Sequence, residues 1–333
     1  MTRPLALTMG DPAGIGPEIT IKAWQKLRSD PRNAFFVIAD PALYKNAKTI
    51  DIPDQAIGIF KDALPVLPIK CAAVIIGKPN ENAAPAILTS IKTATKLALS
   101  GEVSGVVTNP IAKDVLYRSG FSFPGHTEFL AELAKSTKAP YSQGPVMMLS
   151  AQGLRVALVT IHMPLKDVAN AISIDKIVDT AWVLNGALKI DLGISSPRIA
   201  MAGLNPHAGE NGSLGHEEND ILIPAAKILR AEGINISNPQ SADTLFHKEA
   251  RAEYDAVLVM YHDQGLIPVK SLDFYGGVNT TLGLPIIRTS PDHGTAFEIA
   301  GNGVAREDSL LAAIDLARNM AANRCRYIEG SHG

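Results

Sequence analysis

The run Asp255-Ala256-Val257-Leu258-Val259-Met260-Tyr261-His262-Asp263-Gln264-Gly265 decides the fold class of this chain. Its first six residues form a short, largely apolar stretch, which is typical of a strand buried inside a parallel sheet. The polar residues from Tyr261 onward then fall at the carboxyl end of that strand, where open α/β sheets place their ligands. The run therefore predicts an α/β fold with a functional site that includes His262.

The loop-rich stretch that follows, up to Gly301, combines glycine and proline with many ionisable groups. A structural loop needs glycine and proline for its turns, but it does not need clustered cations, imidazoles and carboxylates, so the cluster favours a site. Two cations and an amide among glycines indicate an anion site, most economically for a phosphate on the substrate, although each cation alone would be read as solvated. The residues concerned are Lys270, Asn279 and Arg288, with Asp292 and His293 close behind.

Strands and helices are predicted to alternate along most of the chain. A strand at Leu5–Met9 leads through a glycine-rich turn into a helix that begins at Pro17, a residue suited to the first helical turn. The glycines at 10, 14 and 16 match neither the dinucleotide fingerprint nor the phosphate loop, so the turn is either a weak nucleotide motif or a tightly packed turn. Two strands around Gln152-Gly153 are expected to form an antiparallel hairpin. Further strands are predicted near 35–39, 72–76, 105–108 and 198–202, and helices near 41–48, 82–100, 112–118, 173–190 and 308–320.

The composition limits the classes of function. Of the 333 residues, 46% are hydrophobic and 19% charged, which suffices for a large core in two domains or in one large α/β domain with an insertion. The net charge of −2 gives no basic field for nucleic acid or anionic lipid. Cys71 and Cys325 have neither metal-site spacing nor the density of a disulfide scaffold. Without a long apolar segment, the chain is expected to be cytoplasmic and to have no membrane partner.

Three histidines follow three apolar, strand-like runs. They are His162, His207 and His262, each within five residues of the end of its run. If the strands are neighbours in one sheet, the imidazoles project from one edge, and a divalent metal could bind all three while keeping an open position for catalysis. They could also be unrelated hydrogen-bonding residues. Asp243 and Asp263 are candidates to orient the ligands or to take part in proton transfer.

Other polar residues have plainer interpretations at this point. In Gly125-His126-Thr127-Glu128, Thr127 could cap the helix that follows, and His126 is read as a residue of the capping loop. His216 and His247 lie in polar, helix-like surroundings and are predicted to be surface residues.

A longer motif near the end of the chain resembles a known cofactor loop. The segment Pro291-Asp292-His293-Gly294-Thr295-Ala296-Phe297-Glu298-Ile299-Ala300-Gly301-Asn302-Gly303 is similar to the loop with which the isocitrate and isopropylmalate dehydrogenases hold the adenosine end of their dinucleotide. This resemblance implies a nicotinamide enzyme that lacks the usual glycine fingerprint. The residues that it assigns to the cofactor are His293, Gly294, Thr295 and Asn302.

Five motifs, in order along nearly the whole chain, resemble the 4-hydroxythreonine-4-phosphate dehydrogenase (PdxA) family of pyridoxal phosphate biosynthesis. They are Gly10-Asp11-Pro12-Ala13-Gly14-Ile15-Gly16-Pro17-Glu18, Gly125-His126-Thr127-Glu128, Asn205-Pro206-His207-Ala208-Gly209-Glu210, Tyr261-His262-Asp263-Gln264-Gly265 and Thr280-Thr281-Leu282-Gly283-Leu284-Pro285.

The resemblance implies a fold, a reaction and a partner. The fold would be two-lobed α/β, with a mostly parallel sheet flanked by helices as in the isocitrate and isopropylmalate dehydrogenases. Residues 1–130 and 275–333 would form the lobe with the cofactor loop, and 131–274 the lobe with metal ligands and dimer contacts. The reaction would be oxidation of 4-phosphooxy-L-threonine by NAD, or by NADP, to a 3-oxo acid that loses CO2. The family is a homodimer with its site at the interface, so the ligands need not come from one chain.

The resemblance also assigns roles to residues. His162, His207 and His262 would bind the divalent metal, which could be zinc, magnesium or cobalt. The phosphorylated substrate would be bound by His126, Thr127, Lys270, Asn279 and Arg288.

Two alternatives stay open on sequence alone. A paralogue in the same family that oxidises 4-phospho-D-threonate or 4-phospho-D-erythronate would share the metal, the phosphate site and the cofactor loop. From a different class, the chain could be a metal-dependent phosphohydrolase or a protein that only binds a phosphorylated metabolite. Either would have to explain the loop from His293 to Gly301 as purely structural.

Overall fold

The structure is a computed structural model, and it describes residues 3–123 and 125–330. The described chain divides into two compact units. The first unit holds the residues up to Lys138 and Leu284–Arg326, and the second unit holds Ala139–Gly283 and the residues from Tyr327 on. The lobe boundaries near 130 and 275 that the family resemblance implies remain a prediction.

Strands and helices alternate through both units. Within the described residues the strands are β1 (Leu5–Thr8), β2 (Phe35–Ala39), β3 (Ala47–Thr49), β4 (Leu64–Pro68), β5 (Val106–Val107), β6 (Val146–Ala151), β7 (Leu154–Leu158), β8 (Ile199–Ala202), β9 (Ile236–Gln240), β10 (Ala256–Val259), β11 (Val278–Leu282) and β12 (Arg288–Pro291). The α-helices there are α1 (Gly16–Leu27), α2 (Gln55–Ile59), α3 (Ala84–Leu99), α4 (Lys113–Arg118), α5 (His126–Ala134), α6 (Leu165–Ala171), α7 (Ile174–Ile190), α8 (Ile223–Ala231), α9 (His262–Leu272) and α10 (Asp308–Gly330).

The first unit contains a parallel sheet with the strand order β3-β4-β2-β1-β5-β12. Every residue of β1 and β2 is buried, as expected for central parallel strands that are covered on both faces. Large aromatic side chains fill the core beneath them, and the Trp24 indole donates a hydrogen bond to the Phe60 carbonyl over 2.7 Å. The mostly parallel sheet flanked by helices confirms the predicted fold class.

The second unit has the strand order β11-β6-β7-β10-β8-β9. Here β6 is antiparallel to both β11 and β7, and the remaining pairs are parallel. The predicted hairpin is confirmed: Gln152 and Gly153 both have positive φ, at 46° and 83°, as a two-residue turn between twisted strands requires. Parallel strands β7, β10 and β8 lie side by side. The segments that follow them, which carry His162, His262 and His207, therefore start from one edge of the sheet.

Two predictions of local structure in the first half of the chain are wrong. The segment 41–48 is a 3₁₀ turn at Pro41–Leu43 followed by β3, rather than a helix. The segment 72–76 makes only an isolated bridge at Ile75, which is 66% exposed, whereas the strand in this region is β4. Prolines at both ends of β4 concealed it, because proline within an apolar run argues against a strand.

The stretch predicted to be loop-rich after Tyr261 is also more regular than expected. It contains α9, β11 and β12. Gly265 and Pro268 hide the helix in the sequence, because both residues weaken helices. The glycine has a packing reason: a Cβ there would stand 2.5 Å from Val156 Cγ1 of β7. Predicted helices at α1, α3 and α7 are confirmed, and among the described residues no helix has the length and apolarity to cross a bilayer.

Candidate active site

Two of the three predicted metal ligands come together in the second unit. The rings of His162 and His262 lie 5.5 Å apart, centroid to centroid, and both line a cavity of about 730 Å³. Asp243 and Asp263 line the same cavity. The pairing follows from the sheet, since β7 and β10 are adjacent and parallel, so the segments after them leave from the same edge. The cavity has the convergent polar groups in a mostly apolar cleft that are typical of ligand sites.

Asp263 orients the imidazole of His262. Its Oδ1 lies 2.8 Å from His262 Nδ1, so that the ring N–H can be donated to the carboxylate. This contact fixes the tautomer in which Nε2 carries a lone pair and is free to bind a metal. The Asp263 carboxylate is 73% exposed, so the hydrogen bond to His262, rather than burial, keeps the two side chains together. Asp263 thus lies where a residue that orients a ligand is expected.

His207 is held in an unusual stretch of backbone. Residues 207–211 all have left-handed dihedral angles, with φ of 52° at His207. Each non-glycine residue in this region costs roughly 1–2 kcal/mol, so the surrounding structure has to hold the loop in place. Glu218 contributes to this, because its carboxylate accepts hydrogen bonds from the backbone N–H groups of Leu204 and Asn205, each over 2.8 Å. The imidazole is exposed.

The donor set of the second unit fits a divalent transition metal in part. Two imidazoles at one cavity wall are suitable ligands for zinc or cobalt, and one of them has the carboxylate partner typical of metal-bound histidine. Within residues 3–123 and 125–330, no three His, Cys, Asp or Glu side chains are placed to hold an ion together. The pair thus supplies two of the ligands that such a metal requires.

The other polar residues predicted for the substrate in this unit lie on α9 and β11. Lys270 is in the last turn of α9, with its ammonium 5.2 Å from the ring centroid of Phe274. Asn279 is in β11, and its Oδ1 is buried without a hydrogen-bond donor. Asp243 accepts a hydrogen bond from the Ser241 hydroxyl. His216 and His247 are exposed, as predicted.

In the first unit, Arg288 is a deeply buried cation. It is 3% exposed, and its guanidinium donates two hydrogen bonds to Thr108 Oγ1, over 3.1 and 2.7 Å. Burial lowers the pKa of Arg288 to about 10, and the nearby Glu128 carboxylate opposes this shift. A guanidinium can donate two parallel hydrogen bonds to a phosphate or a carboxylate, which is the chemistry that the predicted substrate role of Arg288 requires.

His126 lies close to this cation, at the amino end of α5. Its pKa is well below the usual value because of burial, and the positive charges of Arg288 and Lys113 lower it further. Its Nε2 is buried without a hydrogen-bond partner. The expectation that Thr127 caps the helix is wrong: Gly125 is the N-cap, and α5 begins at His126.

The predicted cofactor loop of the first unit is fixed to the first glycine-rich turn. Ile15 donates its N–H to the Thr295 carbonyl over 2.9 Å, and a Cβ on Gly14 would lie 2.8 Å from that same oxygen. The glycines of this turn are therefore required for close packing. Farther along the loop, Glu18 accepts the N–H groups of Gly303 and Ala305. His293 Nδ1 lies 3.1 Å from the Gly294 carbonyl, and Gly294 and Asn302 are exposed.

Sequence reasoning missed the residues that support the predicted ones. Thr108 holds the guanidinium of Arg288, and Lys113 adds positive charge beside His126. The available signal was that Thr108 directly follows the short strand β5, because ligands of open α/β sheets bind at the carboxyl ends of the strands. A lysine exposed in a helix of six residues gave no such signal.

Comparisons with known proteins agree along almost the full length. The family described as pyridoxal phosphate biosynthetic protein PdxA matches residues 31–317. The chain is 56% identical over 330 residues to 4-hydroxythreonine-4-phosphate dehydrogenase from Caulobacter vibrioides, covering 97% of this chain and 99% of the relative. Its fold is similar to the crystal structure of the enzyme of that name from Klebsiella pneumoniae, with a TM-score of 0.85, 38% identity, and coverage of 96% and 98%. A terephthalate 1,2-cis-dihydrodiol dehydrogenase from Burkholderia xenovorans is more distant, with a TM-score of 0.65, 26% identity, and coverage of 96% and 98%.

Proposed function

Because this chain belongs to the PdxA family of pyridoxal phosphate biosynthetic proteins, we propose that it oxidises 4-hydroxythreonine-4-phosphate with NAD, in a cytoplasmic step of vitamin B6 synthesis. The chain is an oxidoreductase of this family. The observation that carries the proposal is the paired His162 and His262 in a cavity with Asp243 and Asp263. Such groups suit the oxidation of a hydroxyl group, because they can hold a cation and accept a proton beside the hydroxyl oxygen. A relative that is 56% identical to the chain carries the name of that dehydrogenase.

The reaction has two parts. A hydride leaves the carbon that bears the C3 hydroxyl while the hydroxyl proton is removed, and this gives the 3-oxo acid and NADH. The C–CO2 bond then breaks, and protonation of the remaining carbon gives 3-amino-2-oxopropyl phosphate. When bound, NAD accepts the hydride, and a divalent cation supplies positive charge that stabilises the oxygen anion of each step.

In this proposal His162, His262 and His207 hold the cation. The first two already share a cavity wall, and Asp263 presents His262 with its Nε2 free. His207 is exposed on a rigid left-handed loop that could serve the same chain or a second copy. Zinc and cobalt suit an imidazole donor set better than magnesium, which prefers oxygen ligands.

Of the two carboxylates at the cavity, Asp243 is assigned to proton transfer and Asp263 to orienting His262. Asp243 is exposed at the cavity, where its carboxylate accepts a hydrogen bond from the Ser241 hydroxyl and can accept a proton from a substrate hydroxyl. Asp263 has the orienting role, because its Oδ1 already meets His262 Nδ1. Both roles require that the carboxylate is held at the correct distance from its partner.

In the first unit, the phosphate of the substrate is assigned to Arg288, with His126 and Thr127 at the amino end of α5. In the second unit, Lys270 and Asn279 keep the role in substrate binding that the family resemblance implies. The guanidinium of Arg288 is buried and bonded to Thr108, and its N–H groups are of the kind that bind the oxygens of a phosphate. His126 has its pKa depressed and is neutral at pH 7, so it acts as a hydrogen-bonding group rather than as a second cation.

The dinucleotide is assigned to the loop that carries His293, Gly294, Thr295 and Asn302. Hydrogen bonds hold this loop in place. The Thr295 carbonyl is bonded to the turn before α1, and the N–H groups of Gly303 and Ala305 are bonded to Glu18 of α1. A loop held at several points loses little freedom when a ligand binds. NADP stays an alternative cofactor.

A homodimer completes the proposal. Two large apolar side chains at the histidine cavity are exposed, Leu165 at 69% and Ile267 at 64%. Apolar groups beside a polar site are typical of surfaces that a second subunit covers. A second copy can bring its own histidine or carboxylate to the pair of imidazoles.

The test is a parallel assay of NADH formation with purified protein, NAD and a divalent metal, supplied with 4-hydroxythreonine-4-phosphate or with 4-phospho-D-threonate. We expect turnover of the amino acid and a rate at least tenfold lower with the sugar acid. Preference for the sugar acid would move the chain to a paralogous activity with the same cofactor and metal. Absence of NADH with both substrates would contradict the proposed function.

A further inference from the structure

Buried hydrogen bonds link the ends of the three strands that precede the predicted metal ligands. The first link joins the end of β7 to the end of β10. Thr160, two residues before His162, donates its hydroxyl to the Met260 carbonyl over 2.6 Å, and its backbone N–H reaches the same oxygen over 3.2 Å. Met260 itself stands two residues before His262. The spacing between these two ligand-bearing segments is therefore fixed by direct bonds.

The second link joins the end of β10 to the end of β8 through one side chain. Gln264 Oε1 accepts the Met260 N–H over 2.8 Å, and Gln264 Nε2 donates to the Gly203 carbonyl over 2.7 Å. The side chain is 9% exposed. The oxygen of this amide is thus bonded to the main chain at the end of β10, just before His262. Its nitrogen is bonded to the main chain at the end of β8, which leads to His207.

The third link holds the loop between Gly203 and His207. Glu218 is 2% exposed and accepts the N–H groups of Leu204 and Asn205 as well as the Asn205 side-chain amide. It is presented by one turn of π-helix, Glu218–Leu222, an irregularity that is rare and often found at functional sites. A buried carboxylate with several donors gives the loop one defined position.

These bonds lie outside the sheet ladders. The registers of β7, β10 and β8 end at Leu158, Val259 and Ala202, and the linking groups come after those positions. An apolar side chain could fill the space of Gln264, but it would leave the Met260 N–H and the Gly203 carbonyl without the bonds that the amide supplies, which destabilises this arrangement of the two strand ends. The amide therefore determines the distance between two segments, which an apolar core residue would not do.

We propose that Gln264 is a positioning residue for the metal site: its amide holds the start of α9, which carries His262, against the end of β8, from which the His207 loop leaves, while Thr160 holds the His162 segment beside that of His262. The inference rests on the proposed assignment of these histidines to a divalent metal. Outer residues that hold metal ligands typically change metal affinity by about 10–100-fold when they are replaced. Gln264 also lines the histidine cavity, but its amide is bonded to main-chain atoms, and in this role it acts on the ligands through the main chain.

The test is cobalt binding by the full-length protein, measured by competition with a chelator and by the visible spectrum of bound Co²⁺. Gln264→Met removes both hydrogen bonds at similar volume. We expect a dissociation constant raised about 10–100-fold and a changed spectrum. The matched control is Gln240→Met, the same chemical change at the end of the neighbouring strand β9, where the side chain is exposed. It should bind cobalt like the parent.

All proteins are compared well below their midpoints of thermal unfolding, so that a general loss of stability does not alter the affinity. If the parent binds cobalt and Gln264→Met matches it in affinity and spectrum, the positioning role is wrong. If the parent itself binds no cobalt, the metal assignment fails, and the inference fails with it. Should Gln264→Met not fold, Thr160→Val decides: it keeps the shape and loses the hydroxyl, and we expect affinity at least threefold weaker, whereas unchanged affinity would overturn the proposal.

Discussion

Asp11 is a buried carboxylate whose position has a measurable consequence. It is 1% exposed, its Oδ1 accepts the Ala13 N–H over 3.0 Å, and its Oδ2 is buried without a donor. Burial raises the pKa of Asp11 above its ordinary value, the Ala13 N–H opposes this, and the charge of Asp114 adds to it. A group whose pKa is higher in the folded state than in the unfolded state binds its proton more tightly when the protein is folded. The ionised form of Asp11 therefore lowers the free energy of unfolding at neutral pH. This stability is regained as the pH falls through the raised pKa of Asp11, because the carboxyl group then takes up a proton.

We expect Asp11→Asn to raise the thermal midpoint at pH 7.5 by a few degrees, since about 1 kcal/mol corresponds to roughly 2–4 °C for a unit of this size. The amide keeps the acceptor for Ala13 and removes the desolvated charge. The gain should shrink as pH is lowered toward the ordinary carboxyl range, because the parent then becomes protonated as well. Asp62→Asn, at an exposed position of the same unit, is the control and should change little. A lower midpoint for Asp11→Asn at pH 7.5 would contradict this account.

The positions of histidines directly after predicted strands were the most predictable feature of the candidate site. The rings of His162 and His262 lie close together, because their strands are adjacent and parallel, while the role of His162, His207 and His262 as metal ligands stays a prediction. Gln264 could not be identified in the same way, because a glutamine after a strand carries no signal until its two main-chain partners are known. Thr108 was missed for a similar reason, since its role depends on the Arg288 side chain 180 residues away.

At the scale of elements, the start of the second unit and the end of β11 are tied together at one glycine. Gly283 has φ of 75°, donates its N–H to the Tyr141 hydroxyl over 3.3 Å, and accepts the Gly144 N–H at its carbonyl. The Tyr141 hydroxyl in turn donates to Asp191, a fully buried carboxylate after α7. A Cβ on Gly283 would stand 1.9 Å from the Gly144 carbonyl oxygen.

We expect Gly283→Ala to destabilise the protein by about 2 kcal/mol or more, because a left-handed alanine costs roughly 1–2 kcal/mol and the clash with a backbone carbonyl adds to this. The control is Gly58→Ala in α2, where nothing lies within 4 Å of the added Cβ. That change should be neutral or stabilising by about 0.5–1 kcal/mol. Urea unfolding followed by circular dichroism measures both. Equal stability of the two variants would show that the contact at Gly144 is not as close as described.

Periodic elements were predictable, and those that carry glycine or proline for tertiary reasons were not. The pattern of apolar residues identified α1, α3 and α7, whose buried faces are determined by spacing alone. In α9 the glycine that permits contact with Val156 removes the helix signal, and in β4 the prolines do the same. The missing information in both cases is which neighbour the segment packs against, and a local window does not contain it.

For the whole molecule, composition and motif order predicted more than periodicity did. The predicted α/β class and the family are both confirmed, and the family match extends over residues 31–317. The proposed metal site is the least complete part: in residues 3–123 and 125–330 no third His, Cys, Asp or Glu is placed to hold an ion with His162 and His262, and the proposal assigns the rest to His207 or to a second copy.

The most direct test of the account is the amount of CO2 released per NADH formed, as a function of metal added to metal-free protein. The substrate is 4-hydroxythreonine-4-phosphate labelled in its carboxyl group, with excess NAD. We predict equal amounts of NADH and CO2, both negligible without metal and both restored in proportion to added cobalt or zinc until the sites are filled. Full turnover in metal-free protein, NADH without CO2, or release of phosphate in place of NADH would contradict the account.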